Sequence, residues 1–173
     1  MSKLQGKRVL FIIAHQIFRD EEYQIPREIL EDEGAEVIVA STELSSAKGK
    51  LGLEVQPDIL LKDVLPSEYD AILFVGGGGC KTYWDDNTAH AVAREFFESG
   101  KITAAICSAP VILSNAGLLK GRKATCFPDD REELEKGGVE YIDDDVKIDG
   151  NVITGKGYWA ASDFANAIVS QLK

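Results

Sequence analysis

The sequence predicts an α/β fold in which a mainly parallel sheet is covered by helices on both faces. Three observations predict it. Arg8-Val9-Leu10-Phe11-Ile12-Ile13-Ala14, Ala71-Ile72-Leu73-Phe74-Val75 and Ile102-Thr103-Ala104-Ala105-Ile106 are almost continuous apolar runs, as expected of strands buried on both faces. Segments of helical patterning alternate with them, which places helices on both sides of the sheet. The second and third runs then break at small residues, Gly76-Gly77-Gly78-Gly79 and Cys107-Ser108-Ala109, where the chain turns sharply.

Taken in order, the first run is a central strand. Phe18-Arg19-Asp20-Glu21-Glu22-Tyr23 follows, and a helical pattern runs through Ile29 and Leu30 to Gly34, which ends it. Pro26 starts or kinks that helix, so irregular backbone is expected around Glu22. Ala35 to Ala40 is the second strand. Short extended pieces follow around Leu53-Glu54-Val55 and Ile59-Leu60-Leu61, leading to the strand Ala71 to Val75. Asp86-Asn87 caps a helix from Ala89 to Ser99, on which His90 is expected to be exposed. After Ile102 to Ile106, Pro110 stands near the first turn of a short helix that closes before Gly121. Lys123 to Phe127 reads as a strand, Asp129 to Lys136 as an acidic helical turn or two, and Val139-Glu140-Tyr141 and Val146-Lys147-Ile148 as strands. Asp149-Gly150 turns into Val152-Ile153-Thr154 as a hairpin, and Ala160 to Leu172 is an amphipathic helix.

With 173 residues and no Pro- or Ser-rich linker, a single domain over 1–173 is expected. The formal charge of −10 disfavours a nucleic-acid partner, which needs a concentrated basic surface. No apolar run reaches membrane-spanning length and the start lacks a signal-peptide apolar region, so a cytoplasmic protein with no membrane partner is expected. Cys80, Cys107 and Cys126 are widely spaced, and His15 and His90 offer no paired-ligand spacing with them, so neither a disulfide scaffold nor a metal site is signalled.

Cys107 stands on a strand-to-helix corner, the layout of a nucleophile elbow, with Ala105 and Ala109 where the hydrolase version carries glycine. The helix that follows would favour thiolate over thiol and stabilise an oxyanion beside it. Cys107 is also a small residue of the type that fills buried corners. The four glycines after Val75 match neither phosphate loop nor dinucleotide fingerprint: the chain reads Gly79-Cys80-Lys81-Thr82, and Lys81 stands where a third glycine is required. An oxyanion hole is the better functional reading, with one N–H from Gly77 and another from Ser108 directed at one oxygen. Glu22, the glycine loop and Cys107 each follow a predicted strand, so all three are expected at the carboxyl edge of the sheet, where such folds bind ligands. Tyr83 and Trp84 either line the mouth of that pocket or pack beneath it.

These residues together resemble the ThiJ/PfpI superfamily, related to class I glutamine amidotransferase domains. The resemblance covers essentially the whole chain: Val9-Leu10-Phe11, the acidic segment ending in Glu22, Glu33-Gly34-Ala35-Glu36-Val37, Asp70-Ala71-Ile72 into Gly76-Gly77, Ala105-Ile106-Cys107, Ala116 to Arg122, and Asp149 to Thr154. It implies a flavodoxin-like three-layer sandwich, Cys107 as nucleophile, Glu22 as the buried acid beside its sulfur, and Gly77 and Ser108 as backbone oxyanion donors. It also implies association into dimers or larger homo-oligomers. The peptidase-like branch carries histidine directly after the cysteine, where this chain has Ser108, and another branch carries one before the proline, where this chain has Phe127. Without a local imidazole base, the expected activity is a cofactor-independent attack on small carbonyl or acyl compounds, glyoxalase- or deglycase-like. The alternatives are an intracellular cysteine peptidase acting on peptides, a redox or stress sensor using an oxidisable Cys107 with Cys126 as resolving thiol, and a chaperone or scaffold with a silent pocket.

Overall fold

The structure is a computed structural model and describes residues 2–173. The chain runs β1 (Arg8–Ile12), β2 (Gln16–Phe18), α1 (Asp20–Asp32), β3 (Glu36–Ser41), β4 (Ala47–Gly49), β5 (Glu54–Val55), β6 (Ile59–Leu60) and β7 (Ala71–Phe74). It continues through α2 (Asn87–Glu98), β8 (Ile102–Ile106), α3 (Pro110–Asn115), β9 (Lys123–Ala124), α4 (Arg131–Glu135), β10 (Glu140–Tyr141), β11 (Val146–Asp149), β12 (Val152–Gly155) and α5 (Ala161–Leu172). Seven strands form the main sheet in the order β11-β12-β8-β7-β1-β3-β6, and every neighbour pair is parallel except β11 with β12. This is the mainly parallel, helix-covered sheet expected from the apolar runs, in the flavodoxin-like arrangement that the resemblance implies.

The alternation of side chains across a strand divides the core into two halves. Leu10 and Ile12 of β1, with Ile72 and Phe74 of β7, pack with Phe96 of α2 and Val111 of α3. Val9 and Phe11, with Ala71 and Leu73, pack on the opposite face with Leu30 of α1 and Phe164 and Ile168 of α5. Strands buried on both faces need no polar alternation, which is why their sequences are so uniformly apolar. Among the described residues no helix is long and apolar enough to cross a membrane.

Several expectations are corrected. The helix α1 starts at Asp20, six residues before Pro26, so Glu22 lies in a regular first turn and not in irregular backbone. Asp20, Glu21 and Glu22 suit the positive end of the helix, and Pro26 removes only the donor that would reach the Glu22 carbonyl. The strand expected over Lys123 to Phe127 stops at Ala124, because the next N–H groups turn to other partners: Thr125 donates to the Thr154 hydroxyl at 3.0 Å and Phe127 to the Cys107 carbonyl at 2.8 Å. His90 is buried, not exposed, since its Nε2 lies 2.7 Å from the Trp84 carbonyl. A small second sheet, β2-β4-β5, was not foreseen; it sets a hairpin beside the start of α1. The hairpin at Asp149-Gly150 forms as expected, with Asp149 opposite Val152.

Candidate functional site

β8 delivers Cys107 to the carboxyl edge of the sheet, and the corner there is tightly determined. Cys107 has φ of 66°, in the left-handed region that a side chain rarely adopts. Its N–H donates to the Gly155 carbonyl at 2.9 Å, and its carbonyl accepts the Phe127 N–H at 2.8 Å. Bonds to both flanking segments hold the strained residue in place.

Glu22 comes to the same point from the first turn of α1. Its side chain is fully buried, and neither carboxyl oxygen has a hydrogen-bond partner of good geometry among the described residues. Gly76 sits between the two groups: a Cβ there would overlap Glu22 Oε1 and come within 2.6 Å of Cys107 Cβ. Burial pushes the Glu22 carboxyl up to about 8, against the opposing pull of the Cys107 thiol and Arg19. Glu22 therefore holds a proton at neutral pH.

Burial also pushes the Cys107 thiol well up, and an ionised Glu22 would push it further; the Gly77 N–H pulls it down. This corrects the expectation of a thiolate favoured by the following helix. Here α3 begins at Pro110, three residues past Cys107, and is only 6 residues long, too weak a field to outweigh desolvation. The Cys107 and Glu22 protons are coupled through this contact.

Gly77 has φ of 104°, and a Cβ on it would lie 2.8 Å from the Ile17 carbonyl oxygen, so the loop needs glycine to pass this close. Neither its N–H nor that of Ser108 donates to another backbone carbonyl among the described residues. The Ser108 hydroxyl donates to Asp130 Oδ2 at 2.5 Å and lies 4.0 Å from Cys107 Sγ. Lys81 Nζ stands 3.8 Å from the other oxygen of Asp130.

Glu22, Gly77, Cys107 and Ser108, the four residues singled out in the sequence, all line one cavity of about 240 Å³. Arg19, Lys50, Lys81, Asp130 and Tyr158 line it too and were missed. Asp130 lies on the acidic turn after Pro128, but its pairing with Ser108 spans 22 residues and leaves no local pattern. Arg19 stands three residues before Glu22, and its guanidinium stacks 4.2 Å over the Tyr158 ring. Tyr83 and Trp84 pack beneath the site and do not line it: the Tyr83 hydroxyl donates to the Ile13 carbonyl and the Trp84 indole to the Ser108 carbonyl, each at 2.8 Å. His15 bonds to Ser45 outside the cavity, and Cys126 is buried away from it. Among the described residues no group of three or more His, Cys, Asp or Glu side chains is arranged to hold a metal ion.

Comparison with known proteins shows the family and the fold. The model of the DJ-1/PfpI family matches residues 7–171. Deglycase PfpI of Pyrococcus furiosus is 38% identical over 149 residues, which cover 86% of this chain and 89% of that protein. An uncharacterized protein of Methanocaldococcus jannaschii is 42% identical over 156 residues, 88% of this chain and 76% of that one. The crystal structure of a ThiJ/PfpI domain protein from Brachyspira murdochii superposes with a TM-score of 0.93 at 38% identity, covering 95% of this chain and 96% of that one. Drosophila melanogaster DJ-1beta gives 0.89 at 29% identity, covering 97% and 91%. By the extent of these matches as well as by its cysteine corner, this chain belongs to the DJ-1/PfpI family.

Proposed function

We propose that this protein is a cofactor-independent cysteine enzyme that acts on small reactive carbonyl compounds. One observation carries the reading: the Cys107 thiol and a protonated, unpartnered Glu22 carboxyl face the same small cavity. The sulfur adds to the carbonyl carbon of the substrate, and the oxygen that gains charge is received by the N–H groups of Gly77 and Ser108. Glu22 supplies a proton to that oxygen and takes one back as the adduct rearranges or collapses. The naming of several relatives as deglycases supports carbonyl chemistry of this kind.

Size favours a small carbonyl over a peptide. A cavity of about 240 Å³ lies below the roughly 300–1,000 Å³ of sites for drug-sized ligands.

The test is consumption of methylglyoxal by the purified protein, with lactate formation followed separately, for the wild type, Cys107→Ser and Glu22→Gln. Lactate formation that disappears in Cys107→Ser and falls severely in Glu22→Gln is the expected result. Undiminished lactate formation by Cys107→Ser would remove the proposal.

A further inference from the structure

Attack by Cys107 requires that its thiol proton go somewhere, and Glu22 is the wrong recipient. Up to about pH 8 that carboxyl already carries a proton. No histidine lines the cavity: His15 is bonded to Ser45, and His90 lies against the Trp84 carbonyl. Asp129 and Asp130 also line the cavity, and Asp130 is joined to the cysteine corner through Ser108.

We propose that Ser108 and Asp130 form a proton relay for Cys107, with the Asp130 carboxylate as the final acceptor of the thiol proton. The inference rests on Cys107 being the reacting group and supplies the base that the proposed function leaves unassigned. Four contacts carry it. Ser108 has one hydroxyl proton, and at 2.5 Å it is given to Asp130 Oδ2. The serine oxygen therefore offers a lone pair to Cys107 Sγ, 4.0 Å away. That is long for an S–H···O contact, as catalytic hydrogen bonds often are in the absence of substrate. Lys81 Nζ stands 3.8 Å from Asp130 Oδ1, a positive charge beside the carboxylate. The Trp84 indole, on the Ser108 carbonyl, fixes the residue that must pass the proton.

The step balances. The S–H bond of Cys107 breaks as its proton moves to Ser108 Oγ, while the proton already on that oxygen moves to Asp130 Oδ2. The sulfur electron pair forms the S–C bond, and the π pair of the substrate carbonyl moves onto its oxygen. Glu22 then protonates that oxygen, so the adduct is neutral, Asp130 is protonated and Glu22 is ionised. The two carboxyl groups of the site thus take opposite roles: Glu22, which has no hydrogen-bond partner among the described residues, is the acid, and Asp130, in contact with the Ser108 hydroxyl and Lys81, is the acceptor. Ser108 is the member that touches the reacting atom, and Asp130 acts only through it.

Other titratable groups facing the thiol from the surrounding elements are Glu22 on α1, Arg19 before it, Lys50 on the β4–β5 hairpin, Lys81 after the glycine loop, and Asp129 and Tyr158 on the far wall. Cys80 and Cys126 also face Asp130, and burial pushes both thiols up, so they hold their protons throughout.

The test uses carboxamidomethylation of Cys107 by iodoacetamide, read on the Cys107 peptide by mass spectrometry, between about pH 5 and about pH 7.5, where Glu22 keeps its proton. A simple thiol loses reactivity tenfold per pH unit below its pKa. The relay instead gives the wild type a pH-independent plateau, because the proton is kept within the site. Asp130→Asn, nearly isosteric, and Ser108→Ala each abolish the plateau and slow alkylation at neutral pH roughly 100-fold. The double variant is no slower than either single one, and Asp130→Glu restores part of the plateau. A plateau retained in Asp130→Asn or Ser108→Ala, multiplicative losses in the double variant, or no plateau in the wild type each overturns the relay. Methylglyoxal turnover, followed alongside, separates the two proposals: a plateau without turnover sinks the proposed function alone, and Cys107-dependent turnover without a plateau sinks the relay alone.

Discussion

The indole of Trp84 donates its N–H to the carbonyl of Ser108 at 2.8 Å, joining the segment after the glycine loop to the residue that follows the cysteine. The Trp84 carbonyl is itself held by Asn115 at 3.0 Å and by His90 at 2.7 Å, so the tie continues into α3 and α2. Trp84→Phe keeps an aromatic ring and deletes the donor, leaving the Ser108 carbonyl without that partner. The expected cost is about 1–3 kcal/mol in urea denaturation, with roughly a tenfold loss of kcat/KM at an unchanged active-site titre. Unchanged kinetics in a destabilised variant would reduce this tie to a purely structural one.

The left-handed conformation of Cys107 inverts a familiar order. Glycine in ordinary backbone is less stable than alanine, but at a φ of 66° the Cβ of alanine is the source of strain. Cys107→Gly is therefore expected to be more stable than Cys107→Ala by about 1 kcal/mol, both being inactive. Equilibrium unfolding of the pair in urea measures the difference; alanine as the more stable of the two would mean that the corner is relaxed.

The glycine loop passes too close to its surroundings to carry side chains at two further positions. A Cβ on Gly79 would overlap the Gln16 carbonyl and lie 2.9 Å from Ala14 Cβ, and one on Gly76 would overlap Glu22 and the Ile106 carbonyl. Gly79→Ala and Gly76→Ala should each lower stability by several kcal/mol, whereas Gly78→Ala, whose Cβ would meet only Ile17 Cγ2 at 3.8 Å, should stay within about 1 kcal/mol of the wild type. Thermal denaturation of the three variants side by side checks the order.

Glu22 also ties stability to pH. Its carboxyl titrates at the ordinary 4.5 when unfolded and at about 8 when folded, so the raised folded value makes burial harmless only while both states are protonated. Below about pH 4.5 the group contributes no penalty; from there to about pH 8 the unfolded chain ionises and the folded chain does not, and stability falls by about 1.4 kcal/mol per pH unit. Above about pH 8 the fall from this group ends. Glu22→Gln removes the slope, so the Tm difference between the variant and the wild type should widen in the variant's favour from about pH 5 to about pH 8. Parallel curves would show that Glu22 ionises normally in the folded protein.

What the sequence disclosed follows the range of the interactions. The central strands were legible because a run such as Val9 to Ile13 must be apolar on both faces, and the convergence of Glu22, Gly77, Cys107 and Ser108 followed from strands that all end at one edge. Asp130 was not legible: an acidic residue on a surface-type turn reads as solvated until the fold brings Ser108 to 2.5 Å. The burial of His90 depends on one carbonyl six residues earlier, and α1 begins well before Pro26 with Asp20 in its first turn accepting the Leu51 and Leu53 N–H groups, contacts that local pattern does not report. The protonation of the site was misread for the same reason. A helix start is visible in sequence, and the desolvation that outweighs it is a property of the assembled core.

Asp20 accepts the N–H groups of Leu51 and Leu53 at 3.0 and 2.9 Å, while Glu22, two residues later, enters the cavity. Two helical positions apart, their side chains point about 200° from each other, so the first turn of α1 is keyed on both sides. Arg19 adds a third point, its N–H held by the Gly76 carbonyl at 2.9 Å. Lengthening or shortening the chain by one residue between Arg19 and Glu22 would rotate the keys on either side of the change by about 100° relative to one another, so the hairpin, the glycine loop and the acid could not all be engaged at once. Insertions are accordingly expected to be tolerated at the exposed Asp143-Asp144-Asp145 turn and excluded from this junction, which makes it a fixed point for length variation in chains that keep the same site.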